Sequence, residues 1–300
     1  MVGTKTIAGI AALLVLCGCS IPGAKPPIRV GSKNFTEQVV LGEIIAQHLE
    51  HRLHRSVERS LNLGGTLLAH QALLSRQIDL YPEYTGTALA AILKAAILKD
   101  AIDNDPGDVL ARVRSEYVRR FHAEWLDPLG IDDTFAMVVN GPRARAQQLE
   151  TLTDASKAPE PWTLGVGYEF EQRADGLPAL EKTYRLRWTG APKTMDLGLL
   201  YKAMEQGQVT MIAANSTDGM LSKMDLRVLR DDQHAFPPYQ VCIVTRQDTM
   251  HEIPGLRDAL LELSGKFTNQ QMQNLNFQVD AQHRSVAQVA AEFLRQAGLD

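Results

Sequence analysis

From residue 28 onward, short apolar runs suited to strands alternate with longer stretches of helical spacing, and this rhythm restricts the fold more than any other feature. Ile28-Arg29-Val30-Gly31 alternates as a strand. Residues 35–53 follow with Val39, Val40, Ile44, Ile45 and Leu49 at helical spacing, and Thr36 is the expected N-cap. A strand is predicted over 57–63, stopped by Gly64-Gly65, then a helix over 66–74, a strand over 78–81 and a helix over 86–99. Strand, helix, strand, helix in this order means βαβ units and a mostly parallel sheet.

A second set follows. Asp105-Pro106-Gly107 predicts a turn before helical residues within 100–125, and 135–139 predicts a strand. Residues 142–161 are polar and hold a helix at most. Strands are expected at 162–166, 184–188, 209–213 and 239–245, with helices at 169–176, 196–206, 255–268 and 285–296. The expectation is an α/β protein of two lobes: 28–135 the first, 136–238 the second, and 239–300 returning to the first. Stretches 135–140 and 239–245 are the natural crossovers, and two crossings leave a cleft for a small molecule.

The N-terminus supplies an address. Lys5 precedes an apolar run over 7–16, about half of the ~20 residues that span a bilayer, so it reads as a signal peptide. Leu16-Cys17-Gly18-Cys19 offers a small residue before cysteine, the pattern a lipoprotein peptidase cuts. The expectation is a signal over 1–18, lipid on Cys19, and a tether over 19–27 that holds the protein to a membrane on the periplasmic or extracellular side. No later apolar run reaches membrane length. The formal charge of −4 excludes nucleic acid as a partner, which needs clustered positive charge. Beyond Cys17 and Cys19 only Cys242 remains, so the mature chain forms no internal disulfide, and Val241-Cys242-Ile243-Val244 reads as a buried strand.

Candidate chemistry gathers at strand-to-helix turns: Leu63-Gly64-Gly65-Thr66, Tyr84-Thr85-Gly86-Thr87 and Asn215 to Gly219. Ends of parallel strands face one crevice, and helix N-termini there suit an anionic group such as a carboxylate. Tyr81 and Tyr84 flank Pro82 directly after a strand. A ring face attracts a cation by ~0.5–2 kcal/mol, and quaternary ammonium groups suit such rings.

Ser32-Lys33-Asn34-Phe35-Thr36-Glu37-Gln38, Leu63 to Thr66, and Asp79 through Thr87 resemble the glycine betaine/choline/carnitine-binding proteins of osmoprotectant ABC importers. Phe170 to Arg173 with Asp175-Gly176, Met195 through Ala203, Ser216 to Gly219, and Phe236 to Tyr239 extend the resemblance over nearly all of the mature chain. It implies a type II periplasmic-binding-protein fold that closes on its ligand and delivers it to a membrane permease with a cytoplasmic ATPase. It implies no enzymatic activity and no cofactor. Carried over by position, Gln38, Gly65 and Thr66 look like polar contacts, and Tyr81 and Tyr84, followed by Thr85, like the aromatic segment. Phe135, Tyr168, Arg173 and Tyr239 look nearest the cleft from the other side. The family pattern has tyrosines where this chain has Phe135, Leu177 and Gln240, and often a basic residue at Met220.

A different ligand class stays open: Arg173 can take the α-carboxylate of an amino acid and Asp218 its amine. His48, His51 and His54 recur every three residues and read as a solvated helix end rather than a metal site. There is no Gly-x-Ser-x-Gly, Gly-x-x-x-x-Gly-Lys or His-Glu-x-x-His motif.

Overall fold

A computed structural model describes residues 25–94 and 105–300. The expected signal peptide, Cys19 and the end of the expected 86–99 helix lie outside the described residues. Among the described residues ten strands form two sheets. They are β1 (Ile28–Gly31), β2 (Val57–Ser60), β3 (Leu80–Tyr84), β4 (Ala123–Trp125), β5 (Phe135–Asn140), β6 (Leu164–Val166), β7 (Lys193–Thr194), β8 (Met211–Asn215), β9 (Leu226–Leu229) and β10 (Val241–Arg246). The first sheet runs β2-β1-β3-β10-β4 and the second β7-β6-β8-β5-β9. This is the two-lobed α/β architecture that the alternation predicts.

Each sheet is mixed rather than mostly parallel. β1 pairs in parallel with β2 and β3, and β6 with β7 and β8. The antiparallel strands are β10, between β3 and β4, and β5, between β8 and β9. Both follow a change of lobe. The expected crossovers shift accordingly. β5 is paired wholly within the second sheet from Phe135 onward, and β10 wholly within the first. The chain crosses in the short segments just before them. Val241 N–H donates to the Ile131 carbonyl at 3.0 Å, Asp133 N–H to the Tyr239 carbonyl at 3.2 Å, and Asp132 and Gln240 form an isolated bridge.

The Thr36–Leu53 helix buries Val40, Leu41, Ile44, Ile45 and Leu49, the apolar stripe seen in the sequence. It packs against the Val286–Ala297 helix. Phe35, not Thr36, occupies its N-cap, and the Thr36 hydroxyl donates to Asp280 instead, at 2.6 Å. His48 overturns the solvated helix end. It is buried, with its ring nitrogens 2.8 Å from the Ala259 carbonyl and 3.2 Å from that of Leu299, while His51 and His54 are exposed.

Other local readings fail as well. The strand expected at 184–188 begins in the last turn of the Leu177–Tyr184 helix, which ends at left-handed Arg185. An Asn269–Asp280 helix stands where no element was expected, because its sequence is mostly polar. Cys242 is buried in β10, as its apolar neighbours predict.

Candidate functional site

β3 ends at the site with Tyr84. Tyr84 lines a cavity of about 990 Å³ between the lobes. Side chains on a strand alternate in direction, so Tyr81, three positions earlier, faces away. Tyr81 is fully buried in a first-lobe cluster with Ile78, Val113 and Tyr117, and its hydroxyl donates to Glu83. The sequence reading placed Tyr81 at the cleft; the register of β3 puts it in the core.

Phe35 stacks with Tyr84 at 6.1 Å between ring centroids. Across the cavity, Phe135 meets Phe170 edge-on at 4.9 Å, and Phe236 and Tyr239 at 5.5 Å each. Phe35, Tyr84, Phe135, Phe170 and Tyr239 all line the cavity. Tyr168 also lines it and is largely exposed. The Gly86 turn is tight against the crossing: an added Cβ would lie 2.7 Å from the Pro238 carbonyl oxygen. Thr85 does not reach the cavity. Its amide donates to the Gln240 carbonyl at 3.0 Å and its hydroxyl to that of Pro238 at 3.2 Å, so it fastens the returning segment to the first lobe.

Gln38 is likewise displaced from ligand contact. It is fully buried beneath the site, and its side-chain oxygen accepts from the Lys33 amide at 3.2 Å. The polar wall is built by Lys33, which the sequence reading passed over. Its ammonium is buried, donates to Glu83 and to Thr66 Oγ1 at 3.2 Å, and stands 4.7 Å from the Tyr84 ring centroid. Thr66 opens the Thr66–Leu74 helix, whose N-cap Gly65 has no side chain to cap it. The partner comes from the other lobe. Thr66 N–H donates to Glu169 Oε1 at 2.6 Å, and Thr66 Oγ1 to Glu169 Oε2 at 2.9 Å. Burial opposes ionisation of Glu169, but Lys33, the Thr66 amide and Arg173 outweigh it and hold the carboxyl below its ordinary range.

Arg173 follows the short Tyr168–Gln172 helix. Its guanidinium lies 5.1 Å from the Phe135 ring and 5.8 Å from that of Tyr239. Asp175 takes its fork at 2.6 and 3.0 Å and also accepts from the Tyr239 hydroxyl at 2.6 Å. Asp218, the other amino-acid candidate, is engaged by the Tyr201 hydroxyl at 2.8 Å and the Asn215 amide at 3.2 Å.

A second feature escaped the sequence reading. Glu37, Asp133 and Asp218 all border the cavity; Glu37 and Asp133 are buried and Asp218 is half-buried. Burial, then mutual repulsion, pushes the Asp133 carboxyl well above its ordinary value. Burial pushes Glu37 up to about 7, opposed by the Tyr84 hydroxyl, which donates to it at 2.7 Å. Asp218 is pushed up to about 6, again by burial. A signal for Lys33 and Glu169 existed: each follows a strand, β1 or β6, at its carboxyl end, where α/β ligand crevices form.

Two α/β lobes that enclose a ring-lined, partly charged cavity define a solute-binding protein of the type II periplasmic class. The family described as the substrate binding domain of ABC-type glycine betaine transport systems matches residues 26–296, and the chain belongs to it. It is 32% identical to the carnitine transport binding protein OpuCC of Listeria monocytogenes, over 94% of this chain and 92% of that protein. It is 30% identical to the glycine betaine-binding protein YehZ of Escherichia coli K12, over 95% and 96%. A crystal structure described as a glycine betaine/carnitine/choline ABC transporter superposes with a TM-score of 0.74 at 28% identity, covering 91% of this chain and 99% of that one. The protein is therefore an extracytoplasmic substrate-binding component of an ABC importer, with a small-molecule ligand and a permease partner, and not an enzyme. Among the described residues no helix is long and apolar enough to cross a membrane.

Proposed function

We propose that this protein binds glycine betaine or a related quaternary ammonium compound and holds it by lobe closure. The carrying observation is the ring set: Phe35 and Tyr84 on one wall and Phe135 and Tyr239 on the other border the same cavity. A quaternary ammonium group cannot donate a hydrogen bond, so π faces and nearby carboxylates are the groups suited to it. Three or four rings supply roughly 4–8 kcal/mol, enough for about millimolar to micromolar affinity. The ligand carboxylate belongs at the Gly65–Thr66 turn, where a helix N-terminus and Lys33 meet. Phe135 keeps a ring face where the family pattern has tyrosine. Leu177 and Gln240 lie outside the cavity lining, so their missing rings bear less on this site.

In this reading the expected lobe boundaries move with the crossings, so that 28–134 and 241–300 form the first lobe and 135–240 the second, with lipid on Cys19 anchoring the protein. The Leu16-Cys17-Gly18-Cys19 pattern supports the anchor, and mass spectrometry of the mature N-terminus tests it. A thermal-shift screen of glycine betaine, carnitine, choline and amino acids tests the ligand. The expected result is a higher melting point with quaternary ammonium compounds and none with amino acids. A response to amino acids alone overturns the reading, because Arg173 would first have to release Asp175 to take their carboxylate.

A further inference from the structure

We propose that Glu169 is a built-in competitor for the ligand carboxylate and sets which quaternary ammonium compounds the site accepts. This rests on placing the ligand carboxylate at Gly65–Thr66. That subsite already holds a carboxylate from the protein itself. Glu169 accepts from the Thr66 amide at 2.6 Å and from the Thr66 hydroxyl at 2.9 Å, and the hydroxyl in turn accepts from Lys33 at 3.2 Å. The two partners are 103 positions apart and belong to different lobes, so the contact also draws the cleft closed. It is close-fitting: an added Cβ at Gly65 would lie 2.5 Å from Glu169 Oε1. Four residues on, Arg173 pins the same carboxylate at 3.4 Å and covers one side of the Phe135 and Tyr239 rings. Arg173 is itself locked by Asp175 on both of its oxygens, so Glu169 is the member free to leave.

Tethering makes Glu169 a strong rival, because an intramolecular group competes at an effective concentration in the millimolar range. A zwitterion such as glycine betaine must displace it. A ligand with no carboxylate, such as choline, leaves it in place and gains from the closure it supports. If the latched form holds nine-tenths of the ligand-free protein, a carboxylate ligand binds about tenfold more weakly than the open site allows.

The test compares the full chain with Glu169→Gln and Glu169→Ala by calorimetric titration of glycine betaine and choline, and by small-angle scattering without ligand. The expected result is glycine betaine binding tightened about tenfold, choline binding weakened, and a larger radius of gyration for the ligand-free Ala variant. Weaker glycine betaine binding in the variants, or equal tightening for both ligands, overturns the proposal. So does an unchanged radius of gyration. If the ligand-free variant opens but no quaternary ammonium compound binds any form, the latch stands and the ligand assignment falls.

Discussion

On β3 the side chains of positions 81 and 84 point to opposite faces, and the two tyrosines have different duties for that reason. Tyr84 faces the cavity, so Tyr84→Ala is expected to weaken quaternary ammonium binding at least about tenfold, the worth of one desolvated ring contact. Tyr81→Ala is expected to lower folding stability by about 3–5 kcal/mol, since it empties a filled core position. Titration and urea unfolding of both variants check this; interchanged effects would refute the register. The buried acids give a second prediction. In the unfolded chain Glu37 and Asp218 ionise near pH 4, whereas in the folded protein their protons are held up to about pH 7 and 6. Their stabilising contribution is complete below the unfolded values and is lost as pH rises through the folded ones. His70 works in the opposite sense, because burial lowers it to about 4 and stability is lost as pH falls below its ordinary value. The difference between wild type and Glu37→Gln isolates the acid term. The wild-type melting point is expected to fall relative to the variant between about pH 4 and 7, and a relative rise would refute the assignment. Tyr84 and Arg173 were legible because ring and guanidinium chemistry is visible one residue at a time. Glu37 was not, because burial alone makes an ordinary first-turn glutamate unusual.

Elements with strong periodicity were read closely from the sequence, and polar ones were not. The Thr66–Leu74 helix has the predicted bounds, and the Pro106–Phe121 helix starts after Asp105, which accepts from the Gly107 and Asp108 amides. The Asn269–Asp280 helix escaped because Met272 and Leu275 are its only buried apolar residues. It is nevertheless central. It packs on the Thr36–Leu53 helix, and from there Gln273 and Asn276 donate to the carbonyls of Ser216 and Thr217 at 2.8 and 3.0 Å. It thus ties the Thr36–Leu53 helix to the turn that follows β8. Gly219 lets it come close: an added Cβ would lie 2.4 Å from the Phe277 backbone nitrogen and 2.5 Å from its Cα. Neither backbone atom can swing aside as a side chain can. Gly219→Ala is therefore expected to cost about 1–3 kcal/mol in urea unfolding, the usual range for overpacking. No loss would mean that the turn and the helix separate freely in solution.

At the scale of the whole molecule, the contacts between the lobes among the described residues include the paired crossing segments, the Asn269–Asp280 helix, and Glu169 on Thr66. The two lobes were legible because strand and helix alternate in each. The contacts between them were not, because no local pattern encodes a pair such as Thr66 and Glu169. The first two links border on the crossing, while the third lies across the cleft. A ligand that touches both ring walls adds a further link and stabilises both lobes at once. At about 100 times its dissociation constant it contributes ~2.7 kcal/mol. For a chain of this size that raises the melting point on the order of 5 °C. Scanning calorimetry is expected to show the whole unfolding transition moving upward together on ligand addition. A shift confined to one part of the transition would mean that the ligand rests on a single lobe, and closure would then need another cause.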